Sequence, residues 1–136
     1  MNTPENRHDP LSKRLGIKPG HTVVLHNVPI TVFGTLGSEA RQALLQQTPG
    51  KGADMLITFQ TDAKELDETF DSLKGQIATH GALWIAWPKI IMGIKTDLKS
   101  AVVRNIAKKH GLSEVNNTEI EYSYAALKFV YKVQDR

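Results

Sequence analysis

Two segments of this chain, Met55-Leu56-Ile57-Thr58-Phe59 and Ala82-Leu83-Trp84-Ile85-Ala86-Trp87, are apolar or nearly so on both alternations of an extended backbone. A strand of that kind has no face to give to water, so it belongs in the middle of a sheet covered on both sides. Gly81 opens the second run and Pro88 stops it. Between the runs, Asp62 followed three residues later by Glu65 forms a capping box, and Leu66, Phe70, Leu73 and Ile77 recur at helical spacing. The unit reads as strand, amphipathic helix, strand. A crossover of that form joins parallel strands and is right-handed.

The remainder of the chain fits around this unit. Residues 1–9 are polar and charged and read as a flexible segment, leaving 10–136 as a single α/β domain. Asp9-Pro10 opens a short helix through Leu15, stopped near Gly16. Lys18-Pro19-Gly20-His21 is a turn, Thr22 to Asn27 a first strand, and Pro29 its end. Residues 30–37 suggest a short helix, whereas Arg41 to Gln46 suits a second strand or a helix equally. A further helix starts near Thr96 or Asp97, carries Leu98, Val102 and Ile106, and finishes with Lys108-Lys109-His110 before Gly111, as the helix dipole and a left-handed cap favour. From Leu112 onward, two β-rich runs flank Tyr122-Ser123-Tyr124 with too short a gap for a parallel crossover, so they form an antiparallel hairpin. The expected architecture is three-layer and Rossmann-like, a mostly parallel sheet with a C-terminal antiparallel hairpin.

Several functions are disfavoured by composition. There is no cysteine among the 136 residues, which excludes disulfides, thiolate metal sites and thiol catalysis. The start resembles no secretory signal, and no apolar run approaches the roughly 20 residues needed to span a bilayer, so the expected location is the cytoplasm, with no membrane partner. His21 and His26 are five apart along a strand, and no other histidines pair at ligand spacing, so no metal site is expected. Neither a nucleophile elbow nor a phosphate loop is present, and no catalytic residue is assigned. Net charge is +3, and the basic stretch from Lys89 to Lys109 reads as the solvated face of a helix; nucleic acid is not an expected partner.

In open parallel sheets ligands collect outside the carboxyl ends of the strands. That rule marks Asn27, Thr61, Trp87, Lys89, Thr96, Asp97, Tyr122 and Tyr124 as candidate ligand-binding residues. A lysine, a helix start and two phenols on one edge suit a small anion or phosphate. The competing reading has Thr96 and Asp97 capping a helix, Lys89 solvated and the tyrosines filling a turn. Trp84 and Trp87 fall on opposite strand faces and pack beneath helices, with Trp87, nearest the strand end, the exception that reaches a ligand.

The turn Lys18-Pro19-Gly20 before an apolar strand, the Trp84 to Trp87 strand after a helix, and the closing hairpin together resemble the second half of a class I methyltransferase fold. Pro10-Leu11-Ser12-Lys13, Leu15-Gly16-Ile17-Lys18-Pro19-Gly20, Leu83-Trp84-Ile85-Ala86-Trp87-Pro88-Lys89, Thr96-Asp97-Leu98 and Leu127-Lys128-Phe129-Val130 resemble an uncharacterised bacterial family, domain of unknown function 3052. That family carries no established activity. An adenosyl or dinucleotide site normally has glycines directly after the first strand, where this chain has Asn27-Val28-Pro29-Ile30, and an acid after the second, where it has Gln46-Gln47. No cofactor is therefore expected. The resulting expectation is a non-catalytic or degenerate methyltransferase-like domain, not an enzyme, that binds a small anionic ligand or a protein partner at the carboxyl edge. The alternatives are an S-adenosylmethionine-dependent methyltransferase-like enzyme, an enzyme using Lys89, Asp97 and the tip tyrosines for acid–base work, and a structural module that forms a homodimer through a sheet edge.

Overall fold

The computed structural model describes residues 11–18, 20–29, 32, 44–46 and 52–135. Helix α1 (Leu11–Leu15) is followed by strands β1 (Thr22–His26), β2 (Leu44–Gln46) and β3 (Ala53–Phe59), then helix α2 (Ala63–Lys74) and strand β4 (Ile77–Pro88). A 3-10 turn at Ile90–Met92 leads to helix α3 (Ser100–Lys109) and the hairpin strands β5 (Leu112–Ile120) and β6 (Tyr124–Tyr131). Of the helix expected over 30–37 only Val32 is described; residues 41–43 of the ambiguous segment lie outside the described residues, whereas 44–46 is a strand.

The six strands form one sheet in the order β2-β1-β3-β4-β6-β5. β1 pairs in parallel with β2 and β3, and β3 with β4; β6 is antiparallel to both β4 and β5. The sheet is thus mixed and not mostly parallel as the sequence suggested. The return strand of the hairpin, rather than its first strand, docks on β4, and this puts both antiparallel ladders into the sheet. β5 consequently runs in the same direction as β4, and the hairpin tip lies at the carboxyl edge.

Two cores sandwich the sheet. On one face Leu11, Leu15 and Ile17 pack on Val23, Leu25, Ile57 and Trp84. On the other, Leu66, Phe70 and Leu73 of α2 and Val103 and Ala107 of α3 pack on Leu56, Leu83, Ile85 and Phe129. The tryptophans divide between the faces as their spacing requires. The Trp84 indole donates to the Leu15 carbonyl at 2.8 Å, so the one polar atom of a fully buried ring fastens α1 to the sheet.

Two boundaries differ from expectation. α2 stops at Lys74, and Ile77 belongs to β4, where it pairs with Ala53 while the Ala53 amide donates to Gln76 O at 2.9 Å. Ile77 is buried in either conformation, so burial periodicity does not separate them. α3 begins at Ser100 rather than at Thr96 or Asp97, and its most buried residues are Val103 and Ala107, with Val102 and Ile106 only partly covered. Its C-terminal end is as expected: Gly111 takes φ +87° and donates to Lys108 O.

Candidate functional site

The ends of β1, β3 and β4 and the start of β6 enclose a pocket of about 270 Å³. Phe59 and Tyr124 meet edge to face at 5.0 Å in its wall, with Pro29, Pro88 and Ile94 adding apolar surface. Asn27, Gln60, Thr61 and Glu65 supply its polar groups together with the Tyr124 phenol. Behind them, Gln60 Nε2 donates to Thr58 Oγ1 at 2.8 Å, and His26 Nδ1 lies 2.8 Å from the same hydroxyl. Thr58 and Gln60 are buried, and this chain of bonds is what lets polar side chains sit at the end of an otherwise apolar strand.

Asn27 takes a left-handed conformation, φ +57°, a region that residues other than glycine seldom enter and asparagine tolerates best. Its side-chain amide donates to Phe59 O at 3.4 Å, and Pro29 O accepts from Val32 N–H. The tight turn after β1 that would ordinarily call for glycine is therefore made here by Asn27.

Of the residues marked from sequence, the structure brings Asn27, Thr61 and Tyr124 together in the pocket wall. Thr96 and Asp97 brace its rim: the Thr96 hydroxyl donates to Thr61 O at 2.7 Å and accepts from Leu98 N–H, while Asp97 Oδ1 accepts the Ala63 amide at 2.8 Å. Asp97 thus caps α2, alongside Asp62, whose carboxylate accepts from Lys64 N–H, and does not cap the helix that follows it in sequence. Lys89 is ion-paired with Glu119 at 2.8 Å, and Tyr122 is exposed at the hairpin tip. Trp87 is buried against the helical face and does not reach the pocket, correcting its reading as the exception.

Phe59, Gln60, Glu65 and Ile94 were not singled out from sequence. Glu65 was legible as the fourth member of the capping box, and a residue in the first turn of a helix that follows a parallel strand faces the same edge as the strand end. Among the described residues no lysine or arginine lines the pocket, and its one charged group is the Glu65 carboxylate. That electrostatic character disfavours an anion and favours a cation.

Half of the six cations in the basic stretch are ion-paired. Arg104 pairs with Glu114, which holds the guanidinium pKa further up, and Lys109 pairs with Asp67 at 2.9 Å. His110, stacked on Phe70, bridges Asp67 and Asp71, and its hydrogen bond, followed by that of Lys109, holds the Asp67 carboxyl below its ordinary range. Two other hollows, of about 310 and 480 Å³, border α3, and neither contains a residue from the carboxyl ends of β1, β3 or β4.

The sheet order, the reversed strand between β4 and β5, and the pocket at the carboxyl edge define a Rossmann-like methyltransferase fold. Among solved structures, the chain is similar to an S-adenosylmethionine-dependent methyltransferase from Aquifex aeolicus (13% identity, TM-score 0.58, covering 86% of this chain and 85% of that one). It is also similar to magnesium protoporphyrin IX methyltransferase from Synechocystis PCC 6803 with bound S-adenosylhomocysteine (19%, 0.57, 84% and 75%). A TehB-like S-adenosylmethionine-dependent methyltransferase from Corynebacterium glutamicum matches at 8% identity with a TM-score of 0.55, over 89% and 86% of the two chains. No family model and no curated protein sequence matches the chain. At these identities the likeness establishes the fold. It also corrects the leaning toward a non-catalytic module: the three structures named, which share this architecture over most of the chain, are described as methyltransferases and back the alternative reading instead.

Proposed function

We propose that this chain is an S-adenosylmethionine-dependent methyltransferase whose methyl donor occupies the pocket between β1, β3 and β4. The observation that carries the reading is the match between place and charge. The pocket lies at the carboxyl edge of a methyltransferase-like sheet, and it is lined by acceptor oxygens, a carboxylate and an aromatic pair with no cation among its described residues. A sulfonium is a compact cation, stabilised by carboxylate and by aromatic faces.

The residues present fit such a donor. Asn27, Gln60, Thr61, Glu65 and Tyr124 would hold it, with the left-handed Asn27 standing where such sites normally have glycine. When bound, the cofactor supplies an electrophilic methyl group on a sulfonium leaving group. The chain's part is to orient and to exclude water: Phe59, Pro88 and Ile94 provide a dry wall, and the His26–Thr58–Gln60 bonds fix Gln60 behind it.

A thermal melt with and without S-adenosylmethionine and S-adenosylhomocysteine tests the proposal. A ligand present at about 100 times its dissociation constant stabilises by roughly 2.7 kcal/mol, which is several degrees for a domain of this size. The expected result is a rise with both compounds. No shift with either at millimolar concentration sinks the reading.

A further inference from the structure

Directly after β4 the chain makes an outward knuckle. Ile90 is 98% exposed and Ile91 84%, and Met92 and Ile94 are exposed beside them. Single apolar residues on a surface are ordinary, but two adjacent isoleucines almost wholly in water, with two more apolar neighbours, form a patch that is costly unless something covers it. The knuckle's backbone is closed on itself. Met92 N–H donates to Lys89 O and Gly93 N–H to Ile90 O, both at 3.0 Å, so these donors can leave water already satisfied.

Beside the knuckle stands the hairpin tip, tied to it by Lys89 N–H donating to Ser123 O at 2.9 Å. It presents Tyr122, 67% exposed and held at φ +59°. Strain at an exposed aromatic is not repaid by packing within the chain, which points to a role outside it. Two exposed lysines follow the knuckle, Lys95 and Lys99, with no ion pair among the described residues. Of the acids nearby, Glu119 is ion-paired with Lys89 and Asp97 accepts the Ala63 amide; Glu121 lies at the tip beside Tyr122, and Glu65 lines the adjoining pocket.

We propose that Ile90, Ile91 and Met92, flanked by Tyr122, Lys95 and Lys99, dock this protein reversibly on the surface of an anionic lipid bilayer. Aliphatic residues at the tip, a tyrosine at their edge and lysines around them are the arrangement that interfacial insertion uses. A protein partner is a poorer occupant, because a specific complex buries roughly 1,200 Å² or more in total, and a knuckle of three residues offers only a small part of that. Such docking needs no spanning segment, and among the described residues no helix is long and apolar enough to cross a membrane. Pro88 and Ile94, on either side of the knuckle, line the pocket, so docking brings the pocket's rim to the lipid. The proposal stands on this patch and does not depend on the methyl-transfer reading.

Sedimentation of the full chain with phosphatidylcholine vesicles, with and without phosphatidylserine, tests it. The chain is expected to partition onto the phosphatidylserine vesicles and to be released as salt rises. The double variant Ile90→Ser, Ile91→Ser should bind about tenfold more weakly or worse while keeping its melting temperature, since both side chains lie outside the core. Tyr122→Gly should also bind more weakly while melting higher, a pair of effects that a folding defect cannot produce. The proposal fails if the parent chain ignores both vesicles, if the double variant binds as tightly as the parent, or if the patch instead holds two copies of the chain together in solution.

Discussion

Gly81 sits where the sheet leaves no room for a side chain. β4 carries extra residues between Ile77 and Ala82, which pair with Ala53 and Met55, and a Cβ at Gly81 would sit 2.7 Å from the Ala53 carbonyl oxygen and 3.1 Å from that of Asp54. Those contacts are backbone, so the strands themselves would have to move. Gly81→Ala is expected to destabilise by about 1–3 kcal/mol, read as a lower urea midpoint with an unchanged slope. The opposite outcome is expected at the hairpin tip. Glu121 and Tyr122 both occupy the left-handed region, at φ +54° and +59°, as the central residues of a β-turn closed by Ser123 N–H on Ile120 O. Such turns favour glycine, and Tyr122→Gly should stabilise by about 1 kcal/mol, measured by the same unfolding curve. A bare sequence marks Gly81 only as a strand boundary and gives no sign that Tyr122 is strained, because both facts depend on which backbone lies opposite.

At the level of elements, the start of β1 is tied to β3 and β4 through one carboxylate. Asp54 accepts the Thr22 amide at 2.8 Å and lies 3.0 Å from His80 Nε2. The Thr22 amide first, and the His80 bond second, hold its pKa below the ordinary carboxylate value. A carboxyl lowered in the folded state contributes stability that is fully present above its unfolded pKa, about 3.9, and is lost as pH falls through the folded value. Asp54→Asn should therefore flatten the acid side of the stability profile, with the gap between the urea midpoints of parent and variant constant above the unfolded pKa of about 3.9 and closing as pH falls below it through the lowered folded value. A constant gap at every pH would show that the carboxylate charge is irrelevant. Helix α2 was legible from its apolar spacing and its capping Asp62, and α3 from its apolar spacing and charged last turn, but the first residue of α3 was not. Thr96 and Asp97 carry every local mark of a helix start, yet they are drawn to Thr61 O and Ala63 N–H across the edge, and α3 begins later without a side-chain cap.

For the whole molecule, the charge of the pocket makes a quantitative demand. S-adenosylmethionine carries a sulfonium that S-adenosylhomocysteine lacks, and Glu65 is the pocket's one carboxylate among the described residues. Glu65→Gln should weaken binding of the sulfonium compound by about tenfold more than binding of the thioether, because a neutral amide keeps the shape and loses the Coulomb attraction. Calorimetric titration of both compounds against parent and variant measures it, and equal losses would remove Glu65 from the role. The exposed side chain makes a folding effect small, so the comparison is between affinities.

What the sequence alone determined were the things written in local periodicity. The doubly apolar runs had to be central strands, the spacing of Leu66, Phe70 and Leu73 had to bury one helical face, and a hairpin had to close the chain. Tertiary structure decided what depends on partners distant in sequence. Insertion of β6 beside β4 made the sheet mixed and carried the tip to the carboxyl edge. Ion pairing with Glu119 takes up Lys89, which sequence marks for an anion site, and a left-handed Asn27 stands where a cofactor site normally has glycine. Periodicity records whether a residue is buried, whereas charge and backbone geometry at a site are set by what the fold places beside it.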